Sequence, residues 1–89
     1  MEVKSIELNI IDTLVTLSSS TTREELINAL GDPDEITGVS DEHKNGSILK
    51  YIDTEFHFMG DLPTDNLALI YQEMEIDGKY FPEYSIKLK

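Results

Sequence analysis

The chain has 89 residues, with 18 acidic against 7 basic side chains and a formal net charge of −11. A field of that sign repels phosphate groups, so we expect neither nucleic acid nor a membrane surface among its partners. It would attract a basic protein or a divalent cation, while the alternative is that the excess carboxylates only keep a small protein soluble. The absence of cysteine excludes a disulfide framework and a thiolate zinc site. No apolar run reaches the roughly 18–20 residues of a membrane span, and the N-terminal residues carry no secretory signal, so a cytoplasmic location is expected.

Residues 3–17 fit two secondary structures. Their apolar side chains recur at spacings of three and four, which predicts a helix with an apolar stripe formed by Val3, Ile6, Ile10, Leu14 and Leu17. The alternative is a strand, because Ile6, Leu8 and Ile10 alternate with polar residues and the segment is rich in β-branched side chains. We favour the helix for this segment.

A second helix is predicted to begin at the Ser/Thr-rich segment that follows. Two overlapping T-x-x-E capping boxes, at positions 21–24 and 22–25, precede an apolar run. The helix is expected to end at Leu30, because Gly31 favours a left-handed C-terminal cap and Pro33 prevents the helix from continuing.

The remaining chain is typical of strands and turns. Residues 48–59 predict a hairpin that reverses at Ile52-Asp53, with a short strand possible before it around 36–39. A long strand is expected at 67–76, although part of it also suits a helix, and Asp77-Gly78 predicts the turn that ends it. Residues 80–83 are predicted to be a loop or a sheet edge, because Pro82 cannot join a central ladder. A last strand is expected at 84–88.

This order of elements predicts an α+β fold and a single domain spanning 1–89. Two N-terminal helical segments would pack on one face of a three- to four-stranded antiparallel meander, in which strands that are neighbours in sequence pair with each other.

Two sequence motifs suggest a relationship. Leu-Gly-Asp-Pro at 30–33 ends a helix, and Lys-Tyr-Ile-Asp-Thr-Glu-Phe-His-Phe at 50–58 forms the hairpin, followed by Leu-Ile at 69–70. Over about residues 21–70 the chain resembles a group of small uncharacterised bacterial proteins. More distantly it is similar to the outer-membrane assembly lipoproteins of the SmpA/BamE type and to the β-lactamase-inhibitor-like fold. Those families act by binding other proteins, so the resemblance implies a binding role; the chain lacks their lipid-bearing cysteine.

Few residues suggest catalysis. His43 and His57 are the side chains whose ordinary pKa suits acid–base work near neutral pH. His57 lies beside Glu55 on the polar side of its strand, and Asp61 follows closely, so these three residues are the candidates for a His/carboxylate cation site. His43 lies among charged residues in a polar segment and is expected to be solvated.

Two functions follow from these patterns. The favoured one is a non-catalytic acidic protein-binding module, either an adaptor or an immunity-type inhibitor. It is expected to need no cofactor, and the sequence does not decide whether the chain forms homo-oligomers. Its candidate contact residues are Tyr80 and Phe81, which are hard to assign to a core-facing period, together with Glu55 and His57. The alternative is a small metal-dependent hydrolase that uses His57, Glu55 and Asp61.

Overall fold

A computed structural model describes residues 1–38 and 46–89, with the backbone alone at positions 74–75 and 80–84. His43 therefore lies outside the described residues. The described chain forms eight strands and one helix. In order these are β1 Glu2–Val3, β2 Ser5–Ile10, β3 Thr13–Ser18, α1 Arg23–Leu30, β4 Glu35–Thr37, β5 Ile48–Tyr51, β6 Thr54–Phe58, β7 Leu67–Ile76 and β8 Lys79–Leu88.

The strands form two sheets. Six strands pair in the order β1-β8-β7-β6-β5-β4, with β1 parallel to β8 and every other pair antiparallel, while β2 and β3 form a separate antiparallel pair. The predicted α+β fold, with two N-terminal helical segments on a three- to four-stranded meander, is therefore wrong. The chain is mostly β, with a mixed six-stranded sheet and a single short helix in the described residues.

The error lies in residues 3–17, where the strand alternative is the one that forms. A two-residue turn at Ile11 and Asp12, both at positive φ (51° and 62°), joins β2 to β3. This is the geometry of a type I′ hairpin turn, which usually carries Asn-Gly. A β-branched residue rarely adopts positive φ, so the turn at Ile11-Asp12 was not recognised, and the apolar residues on either side of it mimicked a helical period.

The predicted second helix is confirmed. Thr22 caps α1 through a full capping box with Glu25, in which the Thr22 Oγ1 accepts from the Glu25 N–H at 3.2 Å. Gly31 ends the helix at a φ of 83°, and its N–H donates to the Ile27 carbonyl at 2.7 Å. Leu26 is the fully buried residue of this helix, so α1 meets the core mainly through one side chain.

The hairpin at 48–59 is also confirmed, because β5 and β6 pair from Ile48–His57 to Tyr51–Thr54 around the turn at 52–53. The strand at 67–76 and the turn at Asp77-Gly78 form as predicted. Residues 80–83 are not a loop but belong to β8. They do lie at an edge, since β1 joins β8 only at Lys87 and Leu88 and leaves β7 as the one neighbour that the described residues provide there.

The core lies between the two sheets and the helix. Buried side chains from β2–β3, from α1 and from one face of the six-stranded sheet form a single hydrophobic cluster: Ile10, Val15, Leu17, Leu26, Leu49, Tyr51, Phe56, Phe58, Leu67, Ile70, Ile86 and Leu88. The Tyr51 hydroxyl donates to the Gly31 carbonyl at 2.7 Å and so ties the large sheet to the end of the helix. The opposite face of that sheet carries the alternate residues. Within the described residues, no helix is long and apolar enough to span a bilayer.

Candidate functional site

A group of polar and aromatic side chains lies on the face of the six-stranded sheet that points away from the core. Lys50 is paired with Glu55 across β5 and β6, and Glu55 is paired with Tyr71 across β6 and β7. Strand alternation puts His57 and Glu73 on the same face. We call these five residues, Lys50, Glu55, His57, Tyr71 and Glu73, the outer-face cluster.

Direct contacts join the cluster. His57 Nε2 lies 3.2 Å from Glu55 Oε1, and the His57 ring meets the Tyr71 ring edge-on with a centroid distance of 4.9 Å and an angle of 63°. Lys50 Nζ lies 3.3 Å from Glu73 Oε2, and Glu73 is buried although it stands on the outer face. The Glu73 carboxyl, when protonated, donates a hydrogen bond to the Glu55 carboxylate. The cluster is thus a continuous network of polar, charged and aromatic side chains across three strands.

The network moves the pKa values of its members in different directions. The hydrogen bond to Glu55 raises the pKa of Glu73, and burial adds to this rise, while Lys50 opposes it. Burial lowers the pKa of Lys50, but its hydrogen bond to Glu73 and the charge of Glu73 outweigh burial, so the net pKa of Lys50 is raised. Burial lowers the pKa of His57. This favours the neutral imidazole, whose nitrogen facing the Glu55 carboxylate then donates the hydrogen bond.

The structure brings two of the three proposed cation ligands together. Glu55 and His57 are in contact, but Asp61 lies beyond the end of β6. Within residues 1–38 and 46–89, no three His, Asp or Glu side chains form a group that could hold a metal ion. The described geometry thus supplies a His/carboxylate pair without a third ligand.

Tyr80 and Phe81 lie in a different part of the sheet. The last residue of β7 that pairs with β6 is Gln72, yet β7 and β8 stay paired for four further positions, from Glu73 and Pro82 to Ile76 and Lys79. We call the last three of these pairs, residues 74–81, the distal ribbon. It continues about 10 Å past Glu73. Tyr80 pairs with Glu75 and Phe81 with Met74, so the ribbon contains both predicted contact residues but lies apart from the Glu55–His57 pair.

A β-bulge marks the start of the distal ribbon. The register of β7 and β8 shifts between Gln72 and Glu73, which leaves Glu83 as the extra residue of β8. Bulges bend a strand and increase its local twist, and they are common where pairing ends at a sheet edge. Pro82 lies beside the bulge, where β8 has only one neighbouring strand in the described chain. A proline is tolerated at such an edge position because it has no N–H to donate to a second neighbour.

The sequence did not single out Lys50, Tyr71 and Glu73 as members of a site. Lys50 could have been found, because the predicted hairpin turn at 52–53 already pairs positions 50 and 55. The sequence around Glu73 did not indicate that this residue belongs to the cluster, because its segment also suited a helix. Its burial depends on contacts with Lys50 of β5 and Glu55 of β6.

No protein-family model matches this chain, and no curated protein or solved structure is significantly similar to it. The resemblance to small uncharacterised bacterial proteins stays a prediction.

We predict that Glu55→Gln lowers the pKa of Glu73 towards its ordinary value. The substitution removes a negative charge, and the new amide donates to the Glu73 carboxylate and so favours its ionised form. A raised pKa means that ionising Glu73 at neutral pH opposes folding, so the variant should also gain about 0.5–1 kcal/mol of stability at pH 7. NMR titration of the Glu73 side-chain carboxyl carbon and urea unfolding measure the two effects.

The exposed Glu7, changed to Gln, is the matched control for the loss of one charge. It should leave the titration of Glu73 unaltered. An unchanged Glu73 titration in Glu55→Gln would show that the two carboxyl groups are not coupled.

Proposed function

We propose that this chain is a non-catalytic acidic protein-binding module, of the adaptor or immunity-inhibitor kind, that binds a basic protein partner through the distal ribbon. The observation that carries the proposal is the continuation of β7–β8 pairing for four positions beyond the last pair with β6. This ribbon has no flanking strand within the described chain, so its two edges are open to pairing with another molecule there.

The residue types of the ribbon suit an interface. Four of its eight positions are apolar or aromatic: Met74, Ile76, Tyr80 and Phe81. Ile76 is 50% exposed, which is a high value for a large apolar side chain in a sheet. An isolated two-stranded ribbon is marginally stable in water, so contact with a partner would stabilise it. Tyrosine and phenylalanine are also enriched at protein interfaces.

The charge of the chain supports a basic partner. A net charge of −11 attracts a positively charged protein over a distance set by the ionic strength, which speeds association and makes it sensitive to salt. In this proposal the outer-face cluster, which begins at Glu73 where the ribbon starts, provides the neighbouring polar surface. The proposed module acts in the cytoplasm and needs no cofactor.

The test is affinity capture with the tagged chain and two variants, at low and at high salt, read by mass spectrometry. Ile76→Asp adds a charge at an exposed apolar residue of the distal ribbon, and Ile11→Asp makes the same change at the tip of the β2–β3 hairpin, where Ile11 is 53% exposed. We expect a basic protein that is captured by the parent chain and by Ile11→Asp at low salt and is lost at high salt. Ile76→Asp should lose it in both conditions.

Two results would contradict the proposal. One is a capture profile without a salt-sensitive basic protein. The other is equal capture by the two variants, which would remove the ribbon from the interface.

A further inference from the structure

The two-stranded sheet has an open edge along β3. Ile10 and Thr13 flank a two-residue turn and therefore exchange both backbone hydrogen bonds, and this pattern alternates along the hairpin. It follows that the N–H and C=O groups of Leu14, Thr16 and Ser18 point away from β2. Ser18 is satisfied by Thr21, whose Oγ1 accepts from the Ser18 N–H at 3.0 Å and whose N–H donates to the Ser18 carbonyl at 3.1 Å.

The next two outward-pointing residues lack such a partner in the described chain. Within residues 1–38 and 46–89, β3 pairs with β2 alone, and no hydrogen bond reaches the outward backbone groups of Leu14 and Thr16. Unpaired N–H and C=O groups in a row are a template for another strand. The open stretch from Leu14 to Thr16 presents about 7 Å of such edge.

A groove runs beside this edge. It encloses about 290 Å³ between β3 and α1, with Leu14 and Thr16 on one wall and Glu25 and Ala29 on the other. Leu26, which is 1% exposed, lies against the core side of the groove, and Leu14 is 66% exposed at its rim. A groove between a strand edge and a helix is the arrangement in which some peptide-binding domains add an extended peptide to a sheet.

The charged residues around the groove favour a positively charged ligand. Glu25 lines it, Glu7 faces Thr16 across the β2–β3 pair, and Asp12 lies in the turn at its end. Arg23, the basic residue of α1, directs its Nε to the Gly46 carbonyl at 3.2 Å. A cationic segment is therefore attracted. A second copy is disfavoured, because pairing two β3 edges would bring together two chains of net charge −11.

We propose that the groove between β3 and α1 binds an extended, basic peptide segment of a partner protein, which pairs with Leu14 and Thr16 as an added strand. Apolar side chains at alternate positions of the segment enter the groove over Leu26, and its lysines or arginines face the surrounding carboxylates. This surface lies on the small sheet, so the inference goes beyond the distal ribbon and does not rest on it.

The first test uses a blocked seven-residue peptide of alternating lysine and valine as the probe. At saturating peptide, hydrogen exchange of the Leu14 and Thr16 amides in the full chain should slow by about tenfold or more. A glutamate–valine peptide of the same pattern tests charge, and a backbone N-methylated lysine–valine peptide tests strand pairing; both should leave the two amides unprotected. Protection by all three peptides, or by none, would overturn the proposal.

Paired variants separate the groove from the rest of the surface. Ala29→Lys fills the groove with a positive charge and should weaken binding of the lysine–valine peptide at least tenfold, whereas Asn28→Lys, on the next exposed position of α1, should not. Thr16→Pro removes an outward N–H from β3, and Asn9→Pro removes one from the far edge of β2. Only Thr16→Pro should abolish the amide protection.

Three further results test the groove proposal. Equal binding by Ala29→Lys and Asn28→Lys would overturn the proposal even if Thr16→Pro fails to fold. Protection of Leu14 and Thr16 without peptide, together with a dimer mass, would replace the peptide by a second copy. Ile76→Asp should bind the peptide as tightly as the parent chain does. The experiment therefore tests the groove separately from the distal ribbon.

Discussion

Replacing Phe56 with alanine is expected to lower the free energy of unfolding by about 3–5 kcal/mol, a large share of the stability of so small a chain. Phe56 is fully buried at the centre of the six-stranded sheet, between Leu49 of β5 and Ile70 of β7. Its ring also meets the Tyr51 ring edge-on at a centroid distance of 5.9 Å. The loss combines the apolar area of the ring with the cavity left behind, and urea unfolding measures it.

The neighbouring aromatic residue supplies the control. His57 follows Phe56 in β6 but points to the outer face, where it contacts Glu55 and Tyr71 and stays partly exposed. His57→Ala should therefore lower stability by only about 1 kcal/mol. Similar losses for the two variants would contradict the assignment of one face of the sheet to the core and the other to the outer-face cluster.

The hairpin that contains these two residues could be predicted because its pattern is unambiguous. Phe56 and Phe58 alternate with Glu55 and His57, and the flanking segment is strongly apolar, so the turn at 52–53 was found without glycine. The outward direction of Glu55 and His57 followed from the same alternation. Lys50 could have been placed beside them from the hairpin pairing, whereas Glu73 could not, because it comes from β7, whose pairing with β6 includes a register shift between His57 and Phe58.

The β2–β3 hairpin was not predicted, although the sequence contains a signal for its turn. Ile-Asp occurs three times, at positions 11–12, 52–53 and 76–77; in the first two both residues form a hairpin turn, and in the third Asp77 begins one. Ile11 and Ile52 both adopt positive φ, which few β-branched residues do. The dipeptide at 52–53 was interpreted as a turn and the identical one at 11–12 was not. Recognising the repetition would have favoured the strand alternative for residues 3–17.

The missed hairpin also explains why the groove beside β3 could not be foreseen. A helix at 3–17 has no free backbone edge, whereas β3 exposes the backbone groups of Leu14 and Thr16 next to α1. The position of α1 itself was predictable, since its capping box and its terminal glycine are local signals. What sequence could not supply was the element packed against it.

Tyr51 gives the second large effect, a loss of stability at alkaline pH. Burial, with smaller contributions from Asp32 and Asp34, raises the pKa of Tyr51 to about 12, against about 10 in an unfolded chain. Between these values the unfolded chain releases the phenolic proton while the folded chain keeps it. A raised folded-state pKa contributes stability that is complete below pH 10 and is lost as pH rises towards 12. The expected loss from this one group is about 3 kcal/mol.

The Tyr51→Phe variant isolates this effect. It removes the hydroxyl that donates to the Gly31 carbonyl, so we expect it to be less stable than the parent by about 1 kcal/mol at pH 7. Because it has no proton to lose at this site, its stability should fall less steeply above pH 10, and the two curves should converge and then cross. Urea unfolding followed by circular dichroism from pH 8 to 12 measures both curves. Their difference cancels the contribution of Lys50, whose pKa is also raised. Parallel curves over the whole range would show that the Tyr51 hydroxyl is not held in the buried hydrogen bond that joins the sheet to the helix.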